Sequence, residues 1–317
     1  MRIRNLTVSN ARLTEGSYHT FTILKTVSFG ADDSFFVMQD PNGYKVLMPA
    51  CFYEKYGFAA GQKIFCRVDR INCNGRMFLE PMHPHYKEGE TYTFEQLETG
   101  TQQSITGEME YFVKVRDVLG YKWRVRVFSE KYINPEAKFL QCRLERIKKG
   151  KLFLSLHNDK PVMGGLHTGN IYPFTILEDK VNPRDNLAYW ILEDHNGRKH
   201  LLRKKYYLHY SLKPGKEIRC RVEKFTSEGY FFLEPENPWY KEGQEYEFNI
   251  SEIQRLHFSD GKMEDVLVLA DPHGEDIKVF IPPAMVNELQ GKQKVRCRIK
   301  RIRKSRIEPE ITAILSP

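Results

Sequence analysis

The amino-acid sequence predicts an all-β chain of four small five-stranded barrels in tandem, each about 77 residues long. Two unrelated anchors set that period. Cys-Arg recurs at Cys66-Arg67, Cys142-Arg143, Cys220-Arg221 and Cys297-Arg298, with spacings of 76, 78 and 77. Asp-x-x-Gly recurs at Asp40/Gly43, Asp117/Gly120, Asp194/Gly197 and Asp271/Gly274, each 77 residues after the last. A third observation predicts the strands: 13% of residues are aromatic, and β-branched residues sit among them.

The elements follow in the same order in every repeat. A first strand opens on an aromatic-x-Phe pair, Tyr92/Phe94, Tyr172/Phe174 and Tyr246/Phe248, weakened to His19/Phe21 in repeat one. A second strand runs up to the Asp anchor, as in Phe35 to Asp40. Asp-Pro-Asn-Gly at 40–43 and Asp-His-Asn-Gly at 194–197 are turns, since Asn and Gly tolerate positive φ. The recurring aspartates are therefore expected to cap backbone rather than to do acid-base chemistry. A third strand follows (Lys45 to Pro49), then a short, aromatic-rich helical segment at Cys51 to Phe58 and Lys205 to Leu212. The fourth strand is Gly215 to Val222 and the fifth Tyr230 to Glu234. Strand-strand-strand-helix-strand-strand is the order of the OB fold, a five-stranded Greek-key barrel. SH3-like barrels, which lack that helix, are the alternative.

Repeats one and three share more than the anchors. Both close on Phe-Leu-Glu-Pro (Phe78 to Pro81, Phe232 to Pro235), where Glu80 and Glu234 read as structural. Both then exit through Pro84-His85-Tyr86-Lys87-Glu88-Gly89 and Pro238-Trp239-Tyr240-Lys241-Glu242-Gly243. A two-repeat unit that was itself duplicated accounts for this. The boundaries are an N-terminal extension (1–17), repeats at 18–89 and 90–157, a Pro/Gly-bearing linker (158–168), and repeats at 169–243 and 244–317.

Leu212-Lys213-Pro214-Gly215-Lys216-Glu217-Ile218-Arg219-Cys220-Arg221-Val222, followed by Gly229-Tyr230-Phe231-Phe232-Leu233, resembles the closing half of the RNA-binding repeat of the ribosomal protein S-one family. Gly61 to Leu79 repeats the pattern. The resemblance covers the last two strands of repeats one and three well, and those of two and four less well. The glycine- and histidine-containing ligand-face pattern of that family is absent from the second and third strands. The resemblance implies S-one-like barrels and RNA in preference to DNA.

Composition narrows the function classes. The 317 residues carry a net charge of +8, which favours a polyanionic partner. No apolar run of membrane-span length occurs and Met1 to Leu13 has no signal-like core, so a cytoplasmic protein without membrane contact is expected. Six cysteines show no CxxC pairing, and four recur in apolar strands as small hydrophobes. His83-x-His85 reads as a surface turn rather than a metal site. No nucleotide-loop, nucleophile-elbow or zinc-protease motif is present. The reading is therefore a non-enzyme with no cofactor, no metal and no small-molecule substrate.

Strand parity supplies the candidate interface. In the second strands Phe36/Met38, Val113/Val115, Trp190/Leu192 and Leu267/Leu269 are assigned inward. Phe35, Phe112, Tyr189 and Val266 then face out. An outward ring there can stack a base, or pack against a neighbouring repeat. Repeat two adds Lys114, Arg116, Lys122, Arg124 and Arg126 to the face of Phe112, the cation-plus-ring pattern that single strands need. Repeat three offers Tyr189, Lys199 and Arg203, with Lys204 nearby, and repeat one Phe35 and Lys45. In repeat four, Lys294, Arg296, Arg298 and Lys300 alternate along one strand although 12 basic and 12 acidic residues leave the repeat neutral. That strand reads as an anion-binding face, or as a charged edge that blocks aggregation. The function expected is binding of single-stranded RNA or DNA. The alternative is a protein-interaction scaffold or a subunit of a larger nucleoprotein assembly, with a protein partner on repeats one or four.

Overall fold

The computed structural model describes residues 13–30, 33–72, 76–156, 159–161, 163–257, 263–274 and 276–315. Most of the 1–17 extension, and positions 158 and 162 of the linker, lie outside the described residues.

Repeat one consists of β1 (Tyr18–Ser28), β2 (Ser34–Gln39), β3 (Lys45–Pro49), β4 (Lys63–Ile71) and β5 (Met77–Pro81). Repeat two has β6 (Thr91–Gln103), β7 (Met109–Arg116), β8 (Lys122–Val127), β9 (Phe139–Lys148) and β10 (Lys151–Leu156). Repeat three has β11 (Ile171–Asn182), β12 (Leu187–Glu193), β13 (Lys199–Arg203), β14 (Glu217–Phe225) and β15 (Phe231–Pro235). Repeat four has β16 (Glu245–His257), β17 (Met263–Ala270), β18 (Ile277–Ile281), β19 (Lys294–Arg303) and β20 (Arg306–Leu315).

Each repeat folds into one five-stranded antiparallel sheet with its first strand in the middle, ordered β3-β2-β1-β4-β5 in repeat one and equivalently in the others. The first strand pairs with the fourth through its N-terminal half and with the second through its C-terminal half. Between the halves lies a bulge, at Ile23/Lys25, Gln96/Glu98, Ile176/Glu178 and Ile250/Glu252. A bulge bends and twists a strand, which curls the sheet until its third and fifth strands come close. The result is barrel-like, with one apolar core per repeat.

Parity inside the sheets is as expected: Phe36, Met38, Val113, Val115, Trp190, Leu192, Leu267 and Leu269 all lie in the four cores. Cys66, Cys142, Cys220 and Cys297 are fully buried there. Burial pushes the Cys66, Cys142 and Cys297 thiols up to about 12. The helix expected between the third and fourth strands is an α-helix only in repeat four, α1 (Pro283–Leu289). The other repeats have single 3-10 turns at Glu54–Tyr56, Glu130–Tyr132, Lys204–Tyr206 and Leu208–Tyr210. In repeats one and three the rings beside these turns fill the barrel end: Tyr53 and Tyr207 are almost wholly buried. No helix among the described residues is long and apolar enough to cross a membrane.

Neighbouring repeats are latched in pairs by the same contacts. Glu80 accepts the backbone N–H groups of Lys149 and Gly150 (3.0 Å for Gly150), in the turn between β9 and β10. Glu234 accepts those of Lys304 (2.5 Å) and Ser305 (2.9 Å), between β19 and β20. Both turns hold two residues at positive φ, so adjacent N–H groups point the same way and cradle a carboxylate. Arg67 reaches Glu88 at 3.0 Å and the Ile147 carbonyl at 3.2 Å, while Arg221 reaches Glu242 at 2.7 Å and the Ile302 carbonyl at 3.1 Å. The Cys-Arg and Phe-Leu-Glu-Pro signatures of repeats one and three are thus the two halves of an inter-repeat latch. The linker is packed as well: Leu166 is fully buried in the third core, and Asp159 accepts the Phe128 N–H at 2.5 Å.

Candidate nucleic-acid interface

The Asp anchors act on backbone. Asp40 Oδ1 accepts the N–H groups of Asn42 and Tyr44 at 2.8 and 2.9 Å, and Asp117 and Asp194 hold equivalent pairs. They fix the turn between second and third strands, and with it the register of the outer face. His83 is buried rather than at the surface: its Nδ1 accepts the N–H groups of His85 (3.1 Å) and Tyr86 (3.2 Å).

Repeat two places its predicted residues on one face, and one end of that face meets repeat three through Arg126 and Glu110. Phe112 turns away from the barrel, yet is only 9% exposed. Its ring lies over Gly100, its cross-strand partner, where a Cβ would come within 2.8 Å of the ring. The Arg124 guanidinium covers it at 4.0 Å from the centroid. Arg126 donates to the Glu228 carbonyl at 2.8 Å and lies 4.7 Å from the Tyr230 ring, both in repeat three. Glu110, on β7, gathers the junction: it pairs with Arg126 at 3.4 Å and Arg184 at 3.0 Å, and accepts the Tyr230 hydroxyl at 3.2 Å. Burial, then the neighbouring Arg184 and Arg126 charges, pull the Arg124 guanidinium below its ordinary range against the attraction of Glu110. Lys114 pairs with Glu98 at 2.5 Å and Arg116 with Glu95 at 3.3 Å, while Lys122 is exposed. Sequence reasoning missed Glu110, which lies on β7 itself two residues before Phe112 and in the same parity, and Arg184, Glu228 and Tyr230, which come from repeat three.

Repeat three answers reciprocally. Lys199 donates to the Thr106 carbonyl of repeat two at 3.1 Å, and outward-facing Ile191 is 1% exposed. Tyr189 is half-buried and donates to Asp185 at 2.7 Å. Arg203 donates to the Tyr206 hydroxyl at 3.2 Å. In repeat four the basic strand lies opposite an acidic one: Arg296 pairs with Glu247 at 2.9 Å and Arg298 with Glu245 at 3.1 Å, each with its direct cross-strand neighbour. Lys300 pairs with Glu310 at 2.8 Å, and Lys294 is exposed. Val266, equivalent to Phe112, is fully buried.

Repeat one keeps a partly exposed aromatic face. Phe35 is half-buried and meets Phe29 edge-on at 5.8 Å, with Phe29 itself 69% exposed. The β1 bulge sets Lys25 beside Val37 and Val27 beside Phe35, and β3 adds Lys45, Leu47 and Pro49 to the same side. Strands β1 to β3 contain no acidic residue. Lys25 and Lys45 are exposed and pair with no carboxylate among the described residues. Phe35 and Lys45 were expected here. Lys25, Val27, Phe29 and Leu47 become visible only once the bulge sets the register.

No protein-family model matches the chain, and no curated protein matches it. Similar solved structures include a multidomain protein with nucleic acid binding domains from Streptococcus pneumoniae, 14% identical over 72% of this chain and 75% of that one, with a TM-score of 0.22. At that TM-score the likeness carries no weight for fold or function.

Proposed function

We propose that the protein is a non-enzymatic binder of single-stranded nucleic acid, built from tandem OB-type barrels of the S-one kind, with its open ligand face on repeat one. The OB reading is supported by a central first strand flanked by the second and fourth, with the third and fifth strands meeting across the barrel. The single observation that carries the function is the acid-free face of β1 to β3. Phe35 and Phe29 offer rings to bases, and Lys25 and Lys45, which pair with no carboxylate among the described residues, offer charge to phosphates. RNA is favoured over DNA by the sequence resemblance of the closing strands. A protein partner on repeat one is the second reading, favoured by the exposure of Phe29 and of Leu47.

The test is fluorescence anisotropy of the full chain with oligouridylate and oligothymidylate at low and moderate salt. Binding is expected at low salt and weakens as salt rises. Phe35→Ala lowers affinity roughly 10-fold, the loss of one stacked base, and Lys25→Glu with Lys45→Glu lowers it further. Absence of binding at low salt removes the nucleic-acid reading and leaves the protein partner. Undiminished binding by both variants moves the site off repeat one.

A further inference from the structure

Tyr206 lies at the barrel end of repeat three, in the 3-10 turn that follows β13. Three cations surround its half-buried ring. The Arg203 guanidinium is 5.3 Å from the ring centroid, Lys205 Nζ 5.1 Å and Lys304 Nζ 5.0 Å. Lys304 belongs to repeat four: its backbone N–H is one of the two held by Glu234, so the latch between the repeats delivers this ammonium to the ring. Nearby carboxylates are already engaged. Asp179 pairs with Lys204 at 2.6 Å, Asp185 accepts the Tyr189 hydroxyl, and Glu234 accepts the turn amides. Among the described residues, none pairs with Arg203, Lys205 or Lys304. Arg203 Nε is buried and has no hydrogen-bond partner. A buried donor left unpaired costs free energy unless something occupies the site.

The equivalent place in repeats one and two shows that packing does not need this charge. Subtracting the 154 residues between Asp40 and Asp194 sets Pro49, Cys51 and Phe52 where repeat three has Arg203, Lys205 and Tyr206. The latch there is the same, and Lys149 stands 5.2 Å from the Phe52 ring as Lys304 stands to Tyr206. Two cations and the hydroxyl are thus additions peculiar to the second pair. Their field is felt locally: burial raises the Tyr206 phenol, but Lys304, Arg203 and Lys205 outweigh it and hold the group below its ordinary range.

We propose that Arg203, Lys205, Tyr206 and Lys304 form a phosphate-binding collar shared by repeats three and four, which takes backbone phosphates of a single strand. Phosphate suits it because a guanidinium, two ammoniums and a hydroxyl are all donors to an oxyanion. The choice of a nucleic-acid backbone over free phosphate rests on the function proposed above. The site is separate from the repeat-one face, so one strand meeting both would gain by effective concentration.

The experiment uses the full chain labelled with 3-fluorotyrosine, with the Tyr206 fluorine resonance assigned by Tyr206→Phe. Inorganic pyrophosphate and oligouridylate are titrated separately, and both are expected to move that resonance. Lys205→Ala with Lys304→Ala abolishes the pyrophosphate response. It also makes the log–log salt slope of oligonucleotide binding shallower by about 1.4, the loss of two single-strand phosphate contacts. Phe35→Ala leaves that slope unchanged. If oligouridylate binds while the Tyr206 resonance stays still, or the double variant keeps the wild-type slope, the collar is overturned and the repeat-one reading survives. If pyrophosphate moves the resonance but oligouridylate binds nowhere, the phosphate site stands and its nucleic-acid ligand does not. A resonance that neither ligand moves sinks the proposal outright.

Discussion

Arg184 donates through both terminal nitrogens to one carboxylate oxygen of Glu110, each at 3.0 Å, and so joins repeat three to repeat two. Glu110 also serves Arg124, Arg126 and the Tyr230 hydroxyl. Glu110→Ala would strip three guanidiniums of their shared counter-charge. Breaking a fully buried pair from one side costs about 3–5 kcal/mol. The arginine side chains here are 25–37% exposed, and water recovers part of that. A loss of about 1–3 kcal/mol is expected, read as a lower urea midpoint. The radius of gyration in solution scattering should also rise as the two pairs of repeats separate. An unchanged scattering profile would mean that other contacts hold the junction.

Gly150 is the second hinge point. It sits at φ +66 in the turn whose amides bind Glu80, and a Cβ there would fall on the Phe52 carbonyl oxygen. Ser305 holds the equivalent place in the second pair at φ 63, so positive φ by itself is tolerated in this turn. The contact with Phe52 backbone makes the difference, because backbone has little room to yield. Gly150→Ala should destabilise the chain by roughly 1–3 kcal/mol through overpacking. Ser305→Ala, which adds no bulk, should leave the thermal midpoint nearly unchanged. Equal effects from the two would assign the cost to backbone conformation instead.

The repeat, the strands and barrel-facing parity were legible because each is written in local pattern: a spacing near 77, turn residues, alternation of apolar side chains. Phe112 shows where that ends. Parity puts it on the outer face correctly, but Arg124 folds over its ring, and part of what the face meets lies far along the chain, as with Arg126 and Glu228, 102 positions apart. Periodicity says nothing of such contacts. The basic strand β19 is a middle case. Glu245 and Glu247 alternate in step with Arg298 and Arg296, and the cancellation is readable once the first strand is paired with the fourth. The 3-10 turns look like helix in the sequence because buried rings such as Tyr53 supply helix-like apolar spacing in a segment too short for an α-helix.

That cancellation makes its own prediction. Arg298 and Glu245 are exposed cross-strand partners, and such pairs contribute little. Arg298→Ala should change oligonucleotide affinity by no more than about twofold, since the arginine must leave its glutamate to reach a phosphate. Lys304→Ala, whose ammonium pairs with no carboxylate among the described residues, should have the larger effect in the same anisotropy assay. The reverse ranking would place the anion contact on β19 rather than at Tyr206.

His83 gives the chain a pH dependence that one substitution should remove. Burial, with the His85 charge adding to it and Asp117 opposing, lowers the His83 imidazole from 6.5 to about 4. Tyr56 and Tyr86 pack their rings against it. Its unprotonated Nδ1 accepts the His85 and Tyr86 N–H groups, which a protonated ring could not do. The unfolded chain takes up this proton near 6.5 and the folded chain only near 4, so between those values the unfolded state binds more protons. Stability from His83 is therefore fully present above about 6.5 and falls as pH drops toward about 4, by at most ~3 kcal/mol. Repeat three solves the same turn without a titratable group: Asn237 Oδ1 accepts the Trp239 and Tyr240 N–H groups, both at 2.9 Å. His83→Asn should keep the turn and flatten this component. The difference in unfolding free energy between variant and wild type, followed from pH 7 to pH 4, should move in favour of the variant as pH falls. A constant difference across that window would show that His83 does not titrate there.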